Sequence, residues 1–159
     1  MPSRSCSVCH QKMLIKNKDW KYIHQDFDLF CSKHCFLVAL VNAPKRKRSK
    51  FKRHSKEQLL NGGSIWSPKH RMSFRSNYEL RVANFFDTCG FKYQYEPYIF
   101  EWEGHVYTPD FYIVDHNCFI EVKGMFGFGK RKKLSNFVEN HPEVNLLLLP
   151  WTLHSEFKK

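Results

Sequence analysis

The sequence predicts an α/β (α+β) protein: a mixed β-sheet flanked by helices, with a small four-cysteine module at the N-terminus. Three observations carry that expectation. Residues 76–89 repeat apolar side chains at helical spacing, residues 92–123 are dense in aromatic and β-branched types, and Cys6, Cys9, Cys31 and Cys35 fall into two short-spaced pairs. The expected division is residues 1–43 for the cysteine module, 44–73 for a basic linker or arm, and 74–159 for the main domain.

The module comes first in the chain. Cys6 and Cys9 form a Cys-x2-Cys knuckle, and Cys31 and Cys35 form a Cys-x3-Cys pair within "FCSKHC". Tetrahedral zinc takes four thiolates from two such pairs, because each short spacing sets two sulfurs on one ion. The stretch between the pairs suits a short hairpin and is too small for a metal-free core. Ser32 is placed to cap a helix through Phe36, Leu37, Leu40 and Val41 that ends near Pro44. The pattern resembles treble-clef-like zinc fingers, in which the second cysteine pair opens a helix. Four unligated cysteines are the alternative, and His10, His24 and His34 leave the ligand set open. Cys89 and Cys118 lie outside both pairs and are expected to pack as small apolar residues.

From Pro44 to Lys56 the sequence carries eight Lys or Arg and no acid, followed by "NGGS", which has turn chemistry. Lys45, Arg46, Lys47, Arg48, Lys50, Lys52 and Arg53 are either a solvated linker or an arm that settles on phosphates. A localisation signal would use the same residues.

In the main domain, "SNYELRVANFFDTC" places Tyr78, Val82, Phe85, Phe86 and Cys89 on one helical stripe, closed by Gly90. Three strand-like runs follow: "KYQYEPYIFEW", "HVYTPDFYIV" and "CFIEVKG". "GKRKKLSNFVENHP" is expected to be helical, with Leu134, Phe137 and Val138 on one side. "VNLLLLP" reads as a strand buried on both faces, giving the order α, β, β, β, α, β.

Composition narrows the function classes. The apolar content of 42% and the 15 Phe support a real core, unlike a disordered chain. With 26 Lys and Arg against 15 Asp and Glu, the formal charge of +11 points to an anionic partner, nucleic acid first. No apolar run approaches the roughly 18 residues of a membrane span, and no export signal is visible, so a soluble intracellular protein with reduced thiols is expected.

The chemistry sits in two short stretches. Asp110 follows Pro109 in "YTPDF", and Glu121 and Lys123 alternate onto one face of the next strand. Hairpin pairing would set Asp110 beside Glu121, and two adjoining carboxylates repel unless a cation lies between them. Hard oxygen donors with room for water suit Mg²⁺. An exposed ion pair worth about 0–1 kcal/mol is the plain alternative for Glu121 and Lys123.

Through "TPDF" at 108–111 and "EVK" at 121–123 the sequence resembles the PD-(D/E)xK nuclease superfamily. Within it the chain is similar to phage endonuclease I, the Holliday-junction-resolving type, which shows a like Ser-x-x-Glu helix, "YTPDF" strand, glutamate-x-lysine-glycine strand and basic segment leading to "HPE". The likeness covers about Arg75 to Leu149, and the cysteine module departs from it.

This resemblance implies a restriction-endonuclease-like fold with Mg (or Mn) at the active site; structural Zn in the module is expected from the cysteine spacing alone. Asp110, Glu121 and the carbonyl of Val122 would be metal ligands, Lys123 would orient or activate the attacking water, and Glu79 would be a further acid. Ser76-x-x-Glu79 equally fits a capping box. Lys130, Arg131, Lys132 and Lys133 would either reach DNA phosphates or form a solvated helical turn.

The implied function is a phosphodiester-hydrolysing DNA endonuclease, phage or mobile-element encoded and acting in the cytoplasm of a bacterial host. It would cut duplex DNA at a recognised site in the manner of homing enzymes, or resolve branched DNA by structure. A non-catalytic zinc-finger DNA-binding protein is the reading from another class. A homodimer is expected if both strands are cut together.

Overall fold

A computed structural model describes residues 3–14, 28–44, 50–53, 65–123 and 128–150. The N-terminal hairpin pairs β1 (Ser3–Ser5) with β2 (Lys12–Leu14), and its turn is closed by the His10 N–H donating to the Cys6 carbonyl at 3.0 Å. His10 takes a left-handed φ of 59° there. Helix α1 (Lys33–Val41) begins at Ser32, whose hydroxyl accepts the Cys35 N–H at 3.3 Å, and stops just before Pro44.

The stretch expected as a linker or arm contributes two strands and the start of a third. Strand β3 (Lys52–Arg53) pairs antiparallel with β7 (Tyr98–Trp102), and β4 (Ile65–Ser67) pairs with β5 (Met72–Phe74). The β4–β5 turn is fastened to helix α2 (Asn77–Thr88) where Lys69 and His70 meet Asp87 at 2.6 and 3.0 Å.

Helix α2 has Ser76 as its cap and Gly90, at φ 73°, just beyond its end, as the sequence predicts. The long runs that follow are shorter strands. "KYQYEPYIFEW" divides at Glu96 and Pro97 into β6 (Tyr93–Tyr95) and β7, and "HVYTPDFYIV" divides at 108–110 into β8 (His105–Tyr107) and β9 (Phe111–Ile113). Proline lacks a ladder N–H, so each run breaks at its proline and redirects the chain.

The central sheet has the order β11-β10-β9-β6, with β10 (Cys118–Lys123) antiparallel to β9 and parallel to β11 (Leu146–Pro150). Helix α3 (Phe128–Asn140) makes the crossover between β10 and β11. The last strand is an edge of this sheet among the described residues, yet both its faces are covered as expected: Leu147 and Leu149 pack into one core layer, Leu146 and Leu148 into the other.

Alternation on β10 sorts the core into two layers. Ile120 and Val122 join Val82, Ala83 and Phe86 of α2, whereas Phe119 joins Tyr98, Phe100, Tyr112, Leu134 and Phe137 on the opposite side. Cys6, Phe30, Cys35, Phe36 and Leu40 belong to the first of these layers, so the cysteine module and the sheet share one apolar body. Two expectations for packing change. Cys89 is exposed whereas Cys118 is buried, and Val138 is exposed beside the buried Leu134 and Phe137.

Candidate functional site

The four module cysteines come together as the spacing requires: their sulfurs all lie within 4.8 Å of one another, with Cys9–Cys31 and Cys31–Cys35 at 3.5 Å. A Zn–S bond of about 2.3 Å implies sulfur separations of roughly 3.8 Å in a tetrahedron, so the donor set fits zinc. The thiols also crowd one another's protons. Burial raises Cys6, but N–H groups of Cys9, Val8 and Cys31 aimed at its sulfur outweigh this and bring it to about 6. The Cys9 thiol, helped by burial, pushes Cys31 up to about 12. A divalent ion would replace that contested proton.

The second site lies where α2, the β6–β7 bend, β9 and β10 meet. Asp110 ends the "YTPD" approach to β9, and its Oδ2 accepts the Val122 N–H at 2.7 Å. That bond joins the two motif strands directly, one residue beyond the last β9–β10 pair, Phe111 with Ile120. Glu121 is 2% exposed and Asp110 9%, so neither is the solvated partner of a surface ion pair. Both act on Tyr107, whose phenol is held well above the ordinary tyrosine range by burial and by these two carboxylates.

Position 123 follows on the same face of β10 as position 121, with its backbone opposite Pro150. The Lys123 side chain lies outside the described residues, as do the side chains of Lys130 and Arg131 and the whole of Lys45, Arg46, Lys47 and Arg48.

Glu79 forms half of the capping box: its N–H donates to the Ser76 hydroxyl at 3.2 Å, but its carboxylate reaches the N–H of Arg75 in place of that of Ser76. Its Oε1 accepts from the Ser76 hydroxyl at 2.7 Å, and its Oε2 accepts from the Arg75 N–H at 2.9 Å and the Tyr95 hydroxyl at 2.5 Å. With both oxygens engaged, the buried carboxylate ties the start of α2 to β6.

Glu96 is the acid that motif reasoning missed. It is 3% exposed, takes a left-handed φ of 43°, and donates its backbone N–H to the Asp110 carbonyl at 2.8 Å. Burial, reinforced by Glu79 and Glu121, raises its carboxyl to about 7 despite the opposing Arg75 guanidinium. Its trace in the sequence is an acid immediately before a proline inside an aromatic strand run. A side chain other than glycine in that region costs about 1–3 kcal/mol, and such strain gathers at functional positions.

The basic residues divide. Lys133 brings its Nζ to 6.0 Å from the ring centre of Tyr107. Lys52 is committed to Glu101 at 2.7 Å, Arg53 lies over the Tyr98 ring, and Lys50 and Lys132 are exposed. His105 is exposed against Trp102, at a ring separation of 5.5 Å, and has no contact with the acids among those described.

Comparison with known proteins bears on this geometry. The family model described as phage endonuclease I matches residues 63–157, which include both motif strands, Glu79 and Glu96. The chain belongs to the phage endonuclease I family. It is 37% identical over 81 residues to endodeoxyribonuclease 1 of Enterobacteria phage T3, covering 48% of this chain and 53% of that protein. Against endonuclease I of Escherichia phage T7 it is 35% identical over 81 residues, covering 48% and 54%. The chain thus spans about half the length of the curated relatives it matches. No solved structure matches. No described helix is long and apolar enough to cross a membrane.

Proposed function

We propose that this protein is a metal-dependent DNA endonuclease of the PD-(D/E)xK type that hydrolyses phosphodiester bonds. The observation that carries the reading is the Asp110 to Val122 hydrogen bond, which holds the "TPD" and "EVK" stretches together beside the buried Glu96 and Glu121. A scaffold freed from catalysis has no use for buried acids that repel one another.

The residues fit Mg²⁺ or Mn²⁺: Asp110, Glu121 and the Val122 carbonyl offer hard oxygens, and Glu96 adds a further carboxylate. When bound, such an ion supplies charge neutralisation at the scissile phosphate and a more acidic water. The protein contributes the rest. Asp110 is oriented by the Val122 N–H, and Tyr107, kept protonated, is a neutral neighbour to the acids. Lys123 would set its charge beside the attacking oxygen and stabilise the charge that builds on the phosphorane. Glu79 keeps Arg75 and Tyr95 in position. Lys133 stands where an approaching backbone phosphate needs a cation. Zinc on Cys6, Cys9, Cys31 and Cys35 is structural in this reading.

Recognition of a particular sequence, homing-style, would call for a reader that moves independently. The cysteine module instead contributes Cys6, Cys35, Phe36 and Leu40 to the layer that contains Val82 and Val122. That shared core supports structure-selective cleavage of branched DNA over site recognition. Supercoiled plasmid with Mg²⁺ tests the enzyme reading: wild type nicks and Asp110→Ala does not. Undiminished nicking by Asp110→Ala would overturn it, and preference for linear duplex over a four-way junction would restore the site-recognition reading.

A further inference from the structure

Collecting Glu96, Asp110 and Glu121 in one buried group creates a difficulty, because the same charges repel the phosphodiester that must enter. Arg75 is a cation built into that group. Its Nε lies 3.0 Å from Glu96 Oε1, with the arginine side chain 50% exposed and the glutamate 4%. One end of the pair is fixed in the core while the other meets water.

The backbone of Arg75 is equally well held. Its N–H is shared between Glu79 Oε2 at 2.9 Å and Tyr95 Oη at 3.1 Å. The residue before it, Phe74, is fully buried, and the residue after it, Ser76, caps α2. A guanidinium carries five N–H donors in a rigid fork, and Glu96 faces its Nε edge without accepting a hydrogen bond there. An arginine held at its backbone and kept near the acids by the charge of Glu96, with half its surface in water, has all five N–H donors to offer a planar, bidentate anion.

We propose that Arg75 is the phosphate-binding arm of this site, taking the oxygens of a DNA phosphate at the mouth of the acidic group while the charge of Glu96 keeps the guanidinium there. The inference rests on the endonuclease reading and adds the residue that lets an acidic pocket accept an anionic substrate. Lysine cannot replace it fully, since an ammonium lacks the fork.

The test uses the full-length chain on plasmid and on a short fluorescent DNA, with Mg²⁺ for cleavage and Ca²⁺ for binding. Arg75→Ala is expected to weaken DNA binding roughly 10- to 100-fold, as loss of a charge-assisted contact does. It should also flatten the plot of log affinity against log salt by about one unit, the signature of one lost phosphate contact. Arg75→Lys is expected to keep the salt slope and recover only part of the affinity.

A role confined to offsetting Glu96 predicts the opposite in a second background. In that case Arg75→Ala combined with Glu96→Gln would bind as well as Glu96→Gln alone, and this result overturns the proposal, as does an unchanged salt slope. A loss that persists in the Glu96→Gln background, even if smaller, supports it. If Arg75→Ala melts below the assay temperature, Arg75→Lys decides, because full recovery of affinity by lysine refutes the need for a fork. Failure of the underlying reading looks different: wild type would not nick, or Asp110→Ala would nick normally.

Discussion

Glu96→Gln isolates the cost of holding an acid inside this site. The carboxyl is displaced from the ordinary 4.5 to about 7, chiefly by burial, and the residue is 3% exposed. At about 1.36 kcal/mol per pH unit that displacement corresponds to about 3 kcal/mol. The sign follows from proton counting. Between pH 4.5 and 7 the unfolded chain has released the proton and the folded chain keeps it, so wild-type stability falls as pH rises through that window.

Glutamine has no proton to lose. Relative to wild type, Glu96→Gln is expected to gain up to about 3 kcal/mol at pH 8 and to show no such gain at pH 4. For a chain of this size the gain would raise the melting temperature by roughly 6–12 °C. Urea unfolding at both pH values, without added Mg²⁺, measures it. With Mg²⁺ present the difference at pH 8 is expected to shrink, because a bound cation relieves the same repulsion. A wild-type to mutant difference that is equal at pH 4 and pH 8, or larger at pH 4, would refute the argument that burial of this carboxylate is costly.

Three further outcomes follow from the same geometry. Asp110→Asn keeps an oxygen for the Val122 N–H and should stay near wild-type stability, whereas Asp110→Ala strands that buried donor and costs about 1–3 kcal/mol more in urea melts; both are expected to abolish nicking. Ser76→Ala removes the α2 cap and one of the hydrogen bonds to Glu79, lowering stability by about 1 kcal/mol in the same assay. Cys9→Ser should release zinc to a colorimetric chelator and lower the single melting transition of the whole chain rather than that of a separable module, since Cys6 and Cys35 stand in the main core.

The sequence made the frame legible where local rules dominate. Ser76, the apolar stripe through Phe86 and the closing Gly90 define α2 because caps and helical periodicity act within a few residues. The cysteine pairs are equally local, since metal geometry dictates their spacing. Asp110 and Glu121 were visible as motif residues, but their burial was not, because alternation on β10 assigns a face without saying what covers it. Glu96 and Arg75 were not legible as site residues. Their meeting depends on α2 and the β6–β7 bend converging from 21 residues apart in sequence, and no short pattern encodes that. Pro109 signals the start of β9 because proline begins or bends a strand, whereas the aromatic run around Pro97 conceals the break between β6 and β7.

Cys35, Phe36 and Leu40 stand in the same apolar wall as Val122, whose neighbour along the chain is Glu121. A protein engineer could not exchange this N-terminal segment for another head and keep the remainder unchanged, because the graft would leave a hole behind β10. Retargeting by fusion is better attempted by adding residues ahead of the first hairpin than by replacing it.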